Sequence, residues 1–463
     1  MNGIARTLLA LSLLLAAQRG VHAEALKDHP GTWMGDMKVP SGQVLKVGAE
    51  LFTRADGTAW ASVAVPSAGA YDIPVIAVSE SGDTIDLQLD GLNLKLTWQT
   101  DHFEARFQEA GGPALSFPMM RVTAFPRKQP PQTPAPPFPY RDVTLAIPSA
   151  DGVTLGATLS VPDGVTRPNA VVLVHGAGPS TRDADGRFLV LADALARRGI
   201  AVLRYDKRGI ARSTGNYDKH TQAELASDLH ATLKALKTRR QFGRVGVVGH
   251  SEGPGIAAIV AGQHPKSVDF IVSLAGVGLP GVEMMLLQDR ATALANGATP
   301  AEAGRIVKYA RTYYDTVVRQ ADGAKRSVAL KALEAARSPA DTAVAERVKI
   351  NQGSLSVDKG FAGKDFLRVM LMADAPRDWR AVKCPVLALN GSVDRQVPVE
   401  SLAGIVASLK AGGNRNVQSA VLASLNHQFQ TAVTGAESEY ATIEEILAPV
   451  VAERVATFVQ KQR

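Results

Sequence analysis

The sequence predicts an α/β protein: a doubly wound, mostly parallel sheet with a helical cap insertion, preceded by a small all-β domain. Three observations lead there. From about residue 140 onward, continuous apolar strand-length runs alternate with helical stretches, the pattern of a parallel sheet covered on both faces. Before that, residues 24–125 carry short alternating segments separated by turn signals, which suits a small barrel or sandwich. Between the two, seven prolines fall from Pro126 to Pro139. Such a stretch holds neither a helix nor a central strand and reads as a stiff linker, residues 126–139.

Residues 1–23 read as a secretory signal. Arg6 precedes the apolar run 8–17, and Val21-His22-Ala23 offers a small-residue cleavage site before Glu24. The expectation is a periplasmic or secreted protein. A retained N-terminal anchor is the alternative, but the run is short for a membrane span and no later stretch is long and apolar enough for one. In the all-β part, strands are expected over 43–47, 59–63, 73–78, 84–89 and 92–98.

Residues 140–463 form the larger domain. Segments 143–147 and 153–159 open it as an antiparallel hairpin. Strands follow at 170–175, 201–205, 244–249, 270–274, 385–389 and 418–423, with helices near 187–198, 221–239, 254–263, 399–409 and 440–460. About 105 residues separate Pro280 from Pro385, far too many for a loop without structure of its own. Helical patterns at 300–319 and 324–336 mark this stretch, approximately 281–383, as a helical cap. Its expected place is over the strand C-terminal ends, where sites in such sheets lie.

Composition excludes several functions. With 46% hydrophobic and 21% charged residues in 463, the chain is ordinary for a globular protein of two domains. The formal charge is +7, but the basic residues are dispersed. The densest run, Lys237-Thr238-Arg239-Arg240, reads as a solvated helix end, so no nucleic-acid partner is expected. The one cysteine, Cys384, forms no intrachain disulfide and reads as a strand-edge residue rather than a nucleophile.

The chemistry starts at Gly249-His250-Ser251-Glu252-Gly253. Read blandly, this is a glycine-rich strand-to-helix turn. But an apolar strand leads into it and a helix leaves it, the context in which a serine becomes an exposed nucleophile. A serine nucleophile needs a base, and the base an orienting acid. Among the nine histidines, His427 follows the last strand, where the chain order Ser, Asp, His places the base. His250 adjoins the serine and is expected to diverge from it. Asp394 follows the strand before and is the expected acid; otherwise it is a turn or cap aspartate. Asp206 competes, but chain order favours a role in holding its own loop. Oxyanion donors are expected from the backbone N–H of Glu252 and from Ala177 or Gly176, in the loop His175-Gly176-Ala177-Gly178-Pro179. A phosphate cradle is the rival reading of that loop, but no Gly-Lys-Ser/Thr follows. Glu252 itself is either a carboxylate favoured at a helix start or a binder of a cationic substrate group.

Together with Ser180-Thr181-Arg182-Asp183 and Tyr205-Asp206-Lys207-Arg208-Gly209, these motifs resemble the α/β-hydrolases over roughly residues 140–463. The nearest likeness is to bacterial esterases with serine aminopeptidase or dienelactone-hydrolase-like domains. Pro254-Gly255 departs from the family pattern, in which a second glycine more often follows Gly253. The resemblance implies hydrolysis of small-molecule carboxylic esters of short to medium acyl chain, with Ser251, Asp394 and His427 as the triad. That chemistry requires no metal or organic cofactor. A serine peptidase would use the same triad, and a non-catalytic binding protein is the remaining alternative.

Overall fold

A computed structural model describes residues 25–462, apart from 69, 90, 110–111, 127–130, 218–219, 351–354 and 356–364. The expected signal, residues 1–23, lies outside the described residues. The described residues form two compact units that divide between residues 128 and 129.

The first unit begins with a one-turn helix, α1 (Ala25–Asp28). Nine strands follow: β1 (Gly31–Lys38), β2 (Val44–Thr53), β3 (Ala59–Val65), β4 (Ala70–Pro74), β5 (Ala77–Ser81), β6 (Thr84–Gln88), β7 (Leu92–Trp98), β8 (Phe103–Glu109) and β9 (Ala114–Val122). They make one antiparallel sheet in the order β4-β3-β2-β1-β9-β8-β7-β6-β5. β4 and β5 are thus at opposite edges, yet only Val75 and Ile76 join them. At 3.8 Å per Cα step that link reaches at most about 11 Å, so the sheet must roll up into a half-barrel. This corrects the single strand expected over 73–78, which turns the corner at Val75-Ile76 and becomes two. Alternate residues point inward, as in β8, where Phe103 and Ala105 are buried and Glu104 and Arg106 exposed.

The second unit contains β10 (Tyr140–Pro148), β11 (Thr154–Pro162), β12 (Ala170–Val174), β13 (Ala201–Tyr205), β14 (Val245–His250), β15 (Ile271–Leu274), β16 (Val386–Gly391) and β17 (Val417–Leu422). Their order is β10-β11-β13-β12-β14-β15-β16-β17. β10 and β11 pair antiparallel from Tyr140↔Pro162 to Pro148↔Thr154, and β11 meets β13 antiparallel. All later pairings are parallel.

The apolar runs are continuous because each strand feeds two cores. In β12, Val172 and Val174 face one side while Val171 and Leu173 face the other. The first side is covered by α3 (Gln222–Lys237), α4 (Gly253–Gln263), α10 (Ala375–Ala381) and α11 (Val399–Ala411) through Leu229, Ile256, Trp379 and Ile405. The second is covered by α2 (Arg187–Ala196) and α12 (Pro449–Gln460) through Leu191, Leu195, Val451 and Val455. The helix expected over 440–460 begins only at Pro449. Pro is well placed at a first helical position, and upstream the Ile446 and Leu447 N–H groups are taken by the Gln132 side chain.

Between β15 and α10 the chain is helical: α5 (Gly281–Ala295), α6 (Pro300–Arg319), α7 (Gly323–Ala335), α8 (Pro339–Arg347) and α9 (Asp365–Leu371). Thr299 and Glu302 close a capping box on α6. These helices share a core of their own around Tyr313, Tyr314 and Leu330. Among the described residues no helix is long and apolar enough to cross a membrane.

Candidate active site

The chain runs from β12 to β13 on one side and then to β14 on the other. Loops leaving the C-terminal ends of β12 and β14 therefore part, and a crevice opens between them. A cavity of about 140 Å³ lies there, lined by His175, Gly176, Ala177, Ser251 and His427 among others.

Ser251 sits at the apex of the turn from β14 into α4 with φ of 58°. That left-handed conformation is costly for a residue with a side chain and persists only where its surroundings enforce it. The Ser251 N–H is tied to the Leu274 carbonyl at 2.9 Å. At Gly253 an added Cβ would stand 2.4 Å from the Val174 carbonyl oxygen, so only glycine lets α4 start this close to β12. At Gly176 an added Cβ would stand 2.9 Å from the Ser251 Cβ, which shows how near the 175–178 loop passes to the serine.

His427 and Asp394 meet. His427 Nδ1 lies 2.9 Å from Asp394 Oδ2, with both side chains almost fully enclosed. The other oxygen, Asp394 Oδ1, accepts the N–H groups of Gln396 at 3.0 Å and Val397 at 2.8 Å. The carboxylate is thus held in place from its own loop. His250 Nε2 donates to the His427 carbonyl at 2.9 Å. Burial, together with the neighbouring His427 and Arg187, pushes the His250 imidazole well below its ordinary range, so it is neutral. Through that hydrogen bond His250 steadies the His427 loop. His175 packs against Phe188 and Tyr205. Burial, aided by Lys207, lowers its pKa to about 3.

Lys207 organises the other side. Its buried Nζ donates to the carbonyls of Gly176 at 2.7 Å and Gly178 at 3.0 Å, and lies 3.5 Å from Glu252 Oε2. Burial lowers the pKa of this ammonium, and Glu252 opposes the shift. Neither the Ala177 nor the Glu252 N–H has an acceptor among the described residues. The Glu252 carboxylate is turned toward Lys207, and Glu252 is not among the residues lining the cavity. Asp206 is absent from the His427 contacts. It accepts from Arg182 through Nη2 at 2.6 Å, Nε at 3.1 Å and the backbone N–H at 2.8 Å, and so pins its own loop.

Of the residues picked from sequence, Ser251, His427, Gly176 and Ala177 line one cavity, and Asp394 stands behind His427. Sequence reasoning gave no role to Lys207, although it stands in a quoted motif right after β13. It missed Arg187 and Gln428, which also line the cavity; neither belongs to a motif. The helical insertion, expected over the strand C-terminal ends, contributes no residue to this cavity among the described residues. Instead α5 borders a second one, of about 310 Å³, where Leu287, Ala291 and Leu294 face Ser392 and Arg395.

The profile of the serine aminopeptidase family S33 matches residues 166–431. Esterase EstD of Thermotoga maritima is 33% identical over 135 residues, which cover 28% of this chain and 32% of EstD. The chain thus matches about a third of that relative's length. Among solved structures, Est1E of Butyrivibrio proteoclasticus, determined with ferulic acid, is 15% identical with a TM-score of 0.43, covering 69% of this chain and 99% of Est1E. The Pyrococcus furiosus esterase Pf2001 is 18% identical with a TM-score of 0.42, covering 70% of this chain and 92% of its own.

Proposed function

The chain belongs to the serine aminopeptidase S33 family, and on that premise we propose that it is a serine hydrolase of small carboxylic esters with short to medium acyl chains. The observation that carries this reading is the 2.9 Å contact between His427 Nδ1 and Asp394 Oδ2, made beside a cavity that His427 shares with Ser251. With Nδ1 engaged by the carboxylate, Nε2 is the nitrogen left to act as base.

In the proposed reaction Ser251 Oγ adds to the ester carbonyl while His427 takes its proton. The Ala177 and Glu252 N–H groups stabilise the oxyanion. His427 then protonates the departing alcohol, leaving an acyl-Ser251. Water, deprotonated by His427, releases the acid and restores the serine. The modest cavity of about 140 Å³ supports a small acyl group. The contact between Glu252 and Lys207 at 3.5 Å favours esters over aminoacyl peptides, because this carboxylate already has an internal cation.

The test is hydrolysis of 4-nitrophenyl acetate and butyrate together with labelling by a fluorophosphonate. Wild-type protein should do both and Ser251→Ala neither; activity retained in Ser251→Ala would overturn the reading. We also propose export to the periplasm or beyond, on the strength of residues 1–23. A mature protein starting at Glu24, read by mass spectrometry after expression with the full leader, is the expected result. Intact Met1 in the exported fraction would contradict it.

A further inference from the structure

Buried cations in the second unit sit against carboxylates. Arg182 meets Asp206, Arg204 meets Asp183, Arg208 meets Asp228, Arg326 meets Asp365 and Lys207 meets Glu252. Arg187 does not. It lines the site cavity, where it is the only Lys, Arg, Asp or Glu. Its Nη1 donates to the neutral amide oxygen of Gln428, and its enclosed Nε has no acceptor among the described residues. Asp185, two residues away, is exposed and makes no ion pair with it among the described residues.

The location compounds the imbalance. Arg187 is the first residue of α2, so its charge stands at the positive end of the helix dipole. Its field reaches the neighbouring imidazoles and helps to keep His175 and His250 neutral. Asp185 favours the charged guanidinium without forming an ion pair with it, so the cost of burying this charge is only partly offset, and a bound anion relieves the rest of that cost. A guanidinium also presents donors in a planar fork that suits a carboxylate.

We propose that Arg187 is the anion-recognition residue of the site, and that the substrate is an ester which itself carries a carboxylate. This rests on the esterase reading above and names its substrate class. The carboxylate can belong to the acyl part, as in a monoester of a dicarboxylic acid, or to the alcohol part, as in an acylated hydroxy acid.

Matched pairs separate the two. Mono-4-nitrophenyl succinate against 4-nitrophenyl butyrate reads the acyl side. 4-Acetoxybenzoate against 4-acetoxybenzamide reads the alcohol side. In one pair the wild type should favour the anionic member by about tenfold or more in kcat/KM. Arg187→Gln should erase that preference, and Arg187→Lys should restore part of it. Calorimetric titration with succinate and benzoate reads the same site without turnover, and binding should weaken about tenfold in Arg187→Gln. Preference for the neutral member in both pairs would overturn the proposal, as would an equal loss on both members in Arg187→Gln. Because the wild-type series and the titration stand alone, a variant that fails to fold does not protect the idea. Absence of fluorophosphonate labelling would instead count against the esterase reading, leaving the titration to judge Arg187.

Discussion

Lys207 Nζ donates to the Gly176 carbonyl across 2.7 Å, and the trans peptide that follows turns the Ala177 N–H the opposite way. The same ammonium lies 3.5 Å from Glu252 Oε2. One buried charge therefore links the residues carrying both proposed oxyanion donors. It also favours Ala177 over Gly176 as the donor from that loop.

Lys207→Met should free the Gly176–Ala177 peptide to rotate. Loss of one oriented donor predicts a fall of about 10²-fold in kcat, with a smaller change in KM. It also leaves Glu252 buried without its cation, at a cost on the order of 3 kcal/mol in stability. The double variant Lys207→Met/Glu252→Gln should regain stability, read by urea denaturation, but not kcat. Recovery of kcat in the double variant would show that Lys207 acts through stability alone.

The two competing carboxylates predict different losses. Asp394→Asn removes the acceptor that orients His427 and should cost roughly 10⁴-fold in kcat. Asp206→Asn breaks the buried contact with Arg182 and should destabilise by about 3 kcal/mol, while kcat of the folded fraction falls by less than about tenfold. Steady-state kinetics beside thermal denaturation separates these, and the reversed order would move the acid to Asp206.

Acid should weaken the fold through its enclosed histidines. The His175 pKa is lowered from 6.5 to about 3 in the folded chain. Between those values the unfolded state binds more protons, so stability is flat above pH 6.5 and declines as pH falls toward 3. From pH 6.5 to 5 the loss from His175 is on the order of 2 kcal/mol, and His250, lowered by burial, adds in the same direction. Urea midpoints at pH 7.5 and 5 should differ accordingly, with a shallower dependence in His175→Asn. An unchanged slope in that variant would show that His175 is not the source.

Much of the fold was legible because its signals are local. Continuous apolar runs between amphipathic helices announce a covered parallel sheet, and Val171 to Val174 indeed feed opposite cores in alternation. Other features escaped for physical reasons. β8 mixes charged residues into its alternation, so propensity did not mark it. The α12 helix reads longer in periodicity than it is, because a remote side chain, Gln132, takes the N–H groups just ahead of it.

The sequence by itself determined the strand–turn–helix around Ser251, the order of Ser251, Asp394 and His427 along the chain, and the glycine-bearing loop at Ala177. Each depends on residues adjacent in the chain. Only the tertiary structure decided which distant groups meet: Asp394 with His427, Lys207 with Gly176 and Glu252, and Arg187 with no carboxylate among the described residues. A buried charge finds its partner through burial and sheet order rather than through spacing along the chain, and no local pattern records that choice.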